Sequence, residues 1–339
     1  MAITISEIAK LVGVSTATVS RVLNASNLVR PETKQKVLQA LEEHDYVYNA
    51  VAGGLTKRRT STIGLIIPTI TNPVFSISTK GIYEIAKDRG YSILLGSTDY
   101  SYDTEFELIT LFHEKRVDGI IFTGAPANQK SVEFMTRLKI PYLVTWELVS
   151  DRNVPFVAFD NVKSGQTVTD YLFSLGHKKI GMIAGRFSET SRAYGRWLGY
   201  KKALNTYGIP YDEELVLERE YTVSAGREAM GKLLRISDPP TAVFGGNDIL
   251  AIGAMAAVRE AGYKVGSDIS ITGFDDLDIS EATDPSLTSV HVPGHEMGAK
   301  GAEMLIEMIE GTLEEPRHCV LETELIIRGS TGPAPGTGN

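Results

Sequence analysis

The chain of 339 residues holds a single cysteine, Cys319, and two tryptophans. One thiol cannot close an internal disulfide, so a disulfide-framed secreted fold is excluded and a reducing compartment is expected. Long apolar runs are also missing. Stretches such as Ile63 to Ile67 are strand-sized, far short of the ~20 residues that span a bilayer. The opening residues, Met1-Ala-Ile-Thr-Ile-Ser-Glu7, carry neither a basic flank nor an apolar signal segment, so a cytoplasmic protein without membrane contact is expected. Catalytic fingerprints are lacking as well: there is no G-x-G-x-x-G after a strand, no G-x-x-x-x-G-K-[ST] and no G-x-S-x-G. His291 and His295 are spaced like a zinc pair, but Pro293-Gly294 between them prevents a regular metal-binding helix. Neither an enzyme nor a bound cofactor is expected.

What is present is uneven. The formal charge of −8 hides a division: residues 1–60 carry eight Lys/Arg against five Asp/Glu, while the other 279 carry 26 basic against 37 acidic side chains. A basic head on an acidic body is the asymmetry of a protein whose head alone meets phosphate.

The first 45 residues read as three short helices. Thr4 with Glu7 has capping-box spacing, and Ile5, Ile8, Ala9 and Val12 form one apolar face. Gly13 breaks the helix and Ser15 caps the next, lined inside by Val19, Val22 and Leu23. Pro31 opens a third with Val37, Leu38 and Leu41 inward. From Ile63 onward, apolar runs (63–68, 92–96, 119–122, 142–145, 179–184, 242–244, 269–273) alternate with amphipathic helices. That alternation predicts doubly wound parallel sheets. The body is too long for one such sheet, so two lobes are expected, with a boundary near 160–163 and return crossings near 286–294 and 318–322. The Gly/Pro/Thr-rich tail, 329–339, is expected to be disordered.

Helix, glycine turn, helix over residues 4–23 is the form of a DNA-binding unit. The second helix must open with short polar residues so that its backbone can enter the major groove, and Ser15, Thr16, Ala17, Thr18 and Ser20 supply them. Arg21 follows one turn later, and arginine on a guanine edge is the commonest specific base contact. Residues 14–24 (VSTATVSRVLN), Pro31-Glu-Thr33 and 46–55 (YVYNAVAGGL) resemble the lactose/galactose repressor family of bacterial transcriptional regulators. The likeness continues through Asn72-Pro-Val-Phe75, 116–119 (RVDG), 176–181 (GHKKIG), 195–200 (GRWLGY), Asn247-Asp248 and 270–275 (SITGFD). It spans residues 3–328.

The resemblance implies a helix-turn-helix domain over 1–48, a hinge helix and linker over 49–61, and a body over 62–328 with the two lobes of a periplasmic sugar-binding protein. It implies that Thr16, Ala17 and Arg21 read bases and that Thr18, Ser20 and Asn24 touch phosphate; Thr4 and Ser15 belong to the same expected DNA-binding set. Asn49, Ala52 and Leu55 fall in the hinge helix, Leu55 being the wedge that paired protomers insert into the minor groove. Two features depart from the family pattern. Gly53-Gly54 in mid-hinge costs about 0.5–1 kcal/mol of helix stability per glycine. Arg30 stands where the third helix would usually take a Ser or Thr cap.

Open α/β sheets bind ligands beyond the carboxyl ends of their strands. Those positions hold Thr71, Asn72, Phe75, Thr123, Trp146, Glu147, Arg186, Tyr221, Asn247, Asp248, Asp275 and Asp276. Most are amide, carboxylate, guanidinium or aromatic groups, as a polyhydroxylated ligand needs. The resemblance adds Arg196 as the effector-gripping arginine and matches Asn247 and Asp275 to effector contacts. Trp146-Glu147, with Asp160-Asn161 closing the next strand, looks most like gluconate-type repressors, where a sugar acid is the effector. The expected function is an effector-controlled repressor of a carbohydrate-related operon, a homodimer on operator DNA with a sugar, sugar acid or derivative as ligand. A sugar-binding transport protein with the same body is the alternative.

Overall fold

The computed structural model describes residues 3–24, 29–44, 46, 59–126 and 128–336. Asn49, Ala52, Gly53, Gly54 and Leu55 lie outside the described residues. The chain divides into two compact units, 1–60 and 61–339.

In the first unit, helices span Ile5–Val12, Thr16–Asn24 and Pro31–Glu43. The Thr4–Glu7 capping box is formed: the Thr4 amide donates to the Glu7 carboxylate at 2.7 Å and the Glu7 amide to the Thr4 hydroxyl at 3.3 Å. Gly13 ends the helix at φ 72°, a left-handed cap that costs glycine nothing. Ser15 caps the second helix by accepting from the Thr18 amide at 3.1 Å. Ile8, Ala9, Val19, Val22, Val37 and Leu41 close the core. Leu38, expected inward, is 45% exposed. Val37 and Leu41 share a face at i, i+4 spacing, and the intervening residue is rotated about 100° away from it. Arg30 precedes Pro31 without any side-chain cap hydrogen bond.

The second unit contains two six-stranded sheets. One has the order β11-β5-β4-β3-β1-β2, built from β1 Thr62–Ile67, β2 Ser92–Ser97, β3 Gly119–Thr123, β4 Tyr142–Thr145, β5 Phe156–Ala158 and β11 His318–Val320. The other has the order β12-β10-β9-β8-β6-β7, built from β6 Ile180–Gly185, β7 Val216–Arg219, β8 Ala242–Gly245, β9 Ser270–Asp275, β10 Thr288–His291 and β12 Glu324–Ile326. Every pairing is parallel except β10 with β12. Helices cover both faces, so the inner strands are buried along nearly their whole length.

The chain passes between the sheets three times: from β5 into helix Asn161–Ser174, from β10 into helix Gly294–Glu310, and from β11 to β12. The strands between 62 and 145 line one lobe and those between 180 and 275 the other. Helix Asn161–Ser174 packs on helix Ser191–Thr206 at very close range, because a Cβ on Gly165 would strike the Arg196 carbonyl and one on Gly199 the Val162 carbonyl. This contact sets the position of the helix that carries Arg196.

Residues 330–334 of the tail are hydrogen-bonded into the body, contrary to the disorder that its composition predicts. Ser330 is fully buried; its hydroxyl donates to the Ile271 carbonyl at 2.6 Å and accepts from the Thr288 amide at 2.8 Å. Gly332 is held by Ser270 and by the buried His177 ring, at 3.0 and 3.1 Å, and the Ala334 amide donates to Leu175. Composition measured only how little apolar surface the tail owns; it could not show that the sheet end has polar groups needing partners. Truncation after Arg328 would leave several of those groups buried and unpaired, at ~1–3 kcal/mol each. A marked fall in the thermal midpoint, measured by differential scanning calorimetry, is expected; an unchanged midpoint would contradict this role.

Among the described residues no helix is long and apolar enough to cross a membrane. Cys319 lies in β11 and packs against the main core.

Candidate functional site

The strand-end residues converge between the two lobes. Asn72, Phe75, Trp146, Arg196, Tyr221, Asn247 and Asp275 line one narrow inner cleft with space for about one water, joined there by Val74, Tyr100, Thr190 and Arg192. Thr123 lines a wider cleft of about 420 Å3, which shares Tyr100, Thr190 and Arg192 with the inner one.

The lobe holding β1 to β4 supplies the apolar wall. Asn72 is buried, and its side-chain oxygen accepts from the Val74 amide at 3.2 Å, which places Phe75 in the first turn of helix Val74–Asp88. Phe75 meets the edge of Trp146, with ring centroids 5.7 Å apart at 80°. Trp146 follows β4 at φ 73°, fully buried, and its indole N–H donates to Ser78 at 3.2 Å. Its hydrogen bond is therefore spent inside the protein, and it offers a ligand only its ring.

The other lobe supplies the polar groups. Asn247 caps helix Asp248–Glu260 with its oxygen, which accepts from the Leu250 amide at 2.9 Å, while its amide nitrogen is buried without a partner. Asp275 ends β9 at φ 106°, buried, with Oδ1 unpartnered. Burial pushes its carboxyl up to about 7, against the opposing pull of Arg196 and Arg192 and with a further push from Asp248. Behind it, Asp248 accepts from the Leu277 amide and the Ser280 hydroxyl, both at 2.7 Å, and fixes the turn that follows β9. The Tyr221 ring lies on Gly185, where any Cβ would collide with its hydroxyl.

Arg196 is buried beneath these groups. Its Nε donates to Asn161 Oδ1 at 3.1 Å, Nη1 donates to the Gly246 carbonyl, and the guanidinium lies 4.0 Å from the centre of the Phe274 ring. Asn161 in turn donates to the Trp146 carbonyl at 3.4 Å, so a continuous chain links Arg196 to the opposite wall. Arg192, one turn earlier on the same helix, crosses to the first lobe and donates to the Thr123 carbonyl at 3.2 Å. The Thr123 hydroxyl is buried without a partner.

Tyr100, Thr190 and Arg192 were not foreseen. Tyr100 follows β2 at φ 62°, and burial raises its hydroxyl to about 12. Its place beyond a strand end was the available signal, and for Arg192 the signal was its i, i+4 spacing from Arg196. Other strand-end residues are used elsewhere. Arg186 is exposed and ion-paired to Glu189 and Glu220 at 2.9 and 2.8 Å. Asp276 binds Arg328 and His291 at 2.7 and 3.0 Å. Thr71 bonds to Thr69. His295 pairs with Glu84, away from His291, and among the described residues no group of three His, Cys, Asp or Glu side chains could hold a metal ion.

On the first unit, Ser15, Thr16, Ala17 and Arg21 are exposed while Thr18 and Ser20 are half-buried. Thr4 is engaged in the capping box, and Asn24 ends the second helix. Short hydroxylated side chains at the helix start and an exposed arginine one turn on are a surface that a major groove can accept.

Comparison with known proteins agrees with both halves. Residues 4–49 match the model of bacterial regulatory proteins of the lacI family, and 169–331 that of a periplasmic binding protein-like domain. Catabolite control protein A of Priestia megaterium is 35% identical over 331 residues, 98% of this chain and 100% of that protein. The HTH-type transcriptional repressor CytR of Escherichia coli (strain K12) is 34% identical over 335 residues, covering 98% of each. The crystal structure of the lac repressor dimer bound to operator and the anti-inducer ONPF superposes with a TM-score of 0.88 at 26% identity, over 98% of this chain and 100% of that one. The chain belongs to the lacI family of bacterial regulatory proteins, a DNA-binding transcriptional regulator with a two-lobed effector-binding body.

Proposed function

We propose that this regulator is a homodimeric repressor of a carbohydrate-related operon, released from or recruited to its operator by a hydroxyl-rich ligand held between the lobes. One observation carries the ligand reading. Asp275 Oδ1 and Asn247 Nδ2 are buried without partners among the described residues, both residues line the inner cleft, and buried polar groups are ordinarily satisfied. An acceptor and a donor lining one cleft suit a ligand with several hydroxyls, each of which donates and accepts. A ligand touching Asp275 and Arg196 on one lobe and Phe75 and Trp146 on the other favours the closed lobes. Such differential affinity is what lets a ligand move a conformational equilibrium. A thermal-shift screen of sugars, sugar acids and purines, with and without operator, tests the reading; stabilisation by purines alone would replace it.

The dimer face we assign is the surface of β2 and the helices Val74–Asp88 and Tyr102–Glu114, where Leu95, Leu111 and Tyr83 stand 46%, 40% and 53% exposed. Two-fold symmetry then sets half-sites about one helical turn apart. A sugar transport protein with the same body would have no use for the head, and a salt-dependent gel shift on operator DNA separates the two readings. Arg21→Ala is expected to relax preference at one base pair per half-site, at ~1–3 kcal/mol. Leu55→Ala, which removes the expected wedge but no phosphate contact, weakens specific binding far more than non-specific binding. Equal losses on operator and random DNA for both variants would undo these roles.

A further inference from the structure

Arg192 and Arg196 lie one turn apart on helix Ser191–Thr206, yet they serve different lobes. Arg196 donates to Asn161 and to the Gly246 carbonyl, both on its own lobe. Arg192 reaches across: Nη1 donates to the Thr123 carbonyl at the end of β3 at 3.2 Å, and the guanidinium lies 5.6 Å from the centre of the Phe75 ring. Both of those partners belong to the first lobe. The receiving place is shaped for this side chain. Gly124 follows Thr123 at φ 97°, and a Cβ there would strike the guanidinium. Arg192 is buried although it lines both clefts, and with it in place the inner one has space for about one water. Four residues earlier, the Ser188 carbonyl accepts from the Tyr102 hydroxyl of the first lobe at 3.2 Å, a second tie beside the first.

These ties are independent of the backbone, which passes between the lobes at 158–161, 291–294 and 320–324. Lobes joined by such strands are expected to move unless something else holds them. A guanidinium withdrawn from water needs acceptors for its donors. Arg192 finds its acceptor on the opposite lobe, so parting the lobes forfeits that bond, while water returns to the freed groups. The net gain from such an exchange is modest: enough to bias the lobes towards closure, and small enough for a ligand to overcome.

We propose that Arg192 is a built-in latch: its guanidinium holds the two lobes shut across the cleft without help from any effector, and a molecule enters the inner cleft only by displacing it. Binding then exchanges one set of bridging contacts for another, and the response follows the difference between them. That the displacing molecule is the effector rests on the reading above; the latch itself does not.

Double electron–electron resonance on the full-length chain, with no effector added, tests it. Spin labels go on Lys130→Cys and Ser224→Cys in a Cys319→Ser background; both positions are exposed, at helix starts just beyond β3 and β7, one on each lobe. The native arginine should give one narrow separation. Arg192→Ala and Arg192→Met should each lengthen it by more than about 2 Å or add a longer population. Lys179→Ala, which breaks an ion pair with Asp238 at the start of β6, should leave it unchanged. Thermal melts verify that each variant is folded. In a Trp197→Phe background Trp146 is the one remaining tryptophan, and its quenching by acrylamide should rise severalfold in Arg192→Ala as the inner cleft is unbarred. A broad, long distribution with the native arginine, or an unchanged one in both variants, would overturn the latch. If alanine opens the lobes and methionine does not, bulk rather than the hydrogen bond joins them, and the latch is equally wrong. The same holds if Lys179→Ala opens them as far. Unchanged quenching would mean that Arg192 does not bar the inner cleft. None of these readouts uses an effector, so failure of the thermal-shift screen would leave them standing, and their failure would leave the screen standing.

Discussion

Replacing Arg196 with alanine abolishes the response to effector and leaves effector-free operator binding in place. The guanidinium is pinned by Asn161, the Gly246 carbonyl and the Phe274 ring, so its direction is set before any ligand arrives. Truncating one member of a buried charged hydrogen-bonding set costs ~2–5 kcal/mol of binding, or about 30-fold to several thousand-fold in Kd. Alanine also strands the Asn161 and Gly246 oxygens, at ~1–3 kcal/mol of stability each, so melting should fall while DNA recognition, carried by the separate head, persists. Arg196→Lys keeps the charge but not the planar fork, and should recover stability better than affinity. Calorimetry with effector and a gel shift with operator measure the two halves; release of operator at wild-type effector concentration would place the pocket elsewhere.

Asp275→Asn should separate function from stability in the opposite sense. Its carboxyl is raised by burial to about 7, above the ordinary 3.8. The folded protein therefore holds this proton more tightly than the unfolded chain does, and stability is lost as pH rises from about 4 through about 7. Asparagine carries no such charge and tolerates positive φ as aspartate does. The variant should melt higher than the native protein at pH 8, with the gap closing towards pH 4. Effector binding should be lost, because a ligand hydroxyl donates best to the ionised carboxylate. In the native protein, effector affinity should fall as pH drops below about 7, with one proton released on binding. Calorimetry in buffers of differing ionisation enthalpy counts that proton; a flat profile between pH 6 and 8 would exclude Asp275 as the acceptor.

Local rules were enough for a good part of this molecule. The Thr4–Glu7 box, the Gly13 break and the Ser15 cap each depend on residues three or four apart, and each is formed as their spacing implies. The alternation of apolar strands and amphipathic helices demanded parallel sheets, and parallel sheets present their ligands at strand carboxyl ends. Asn72, Trp146, Asn247 and Asp275 could therefore be gathered into one place before their distances were known.

Tertiary structure decided which of those polar groups remain unpaired. Arg186 and Asp276 also follow strands, but Glu189, Glu220, Arg328 and His291 reach them first. Tyr100 and Arg192 join the cleft because the lobes meet there, a relation between segments some ninety residues apart. The tail was misjudged for the same reason: its order comes from Ser270, Ile271 and Thr288, which need Ser330 and Gly332 as partners. Sequence periodicity reports what a segment can bury of itself. Which donors and acceptors are left for a ligand is settled only when every other segment has taken its own partners.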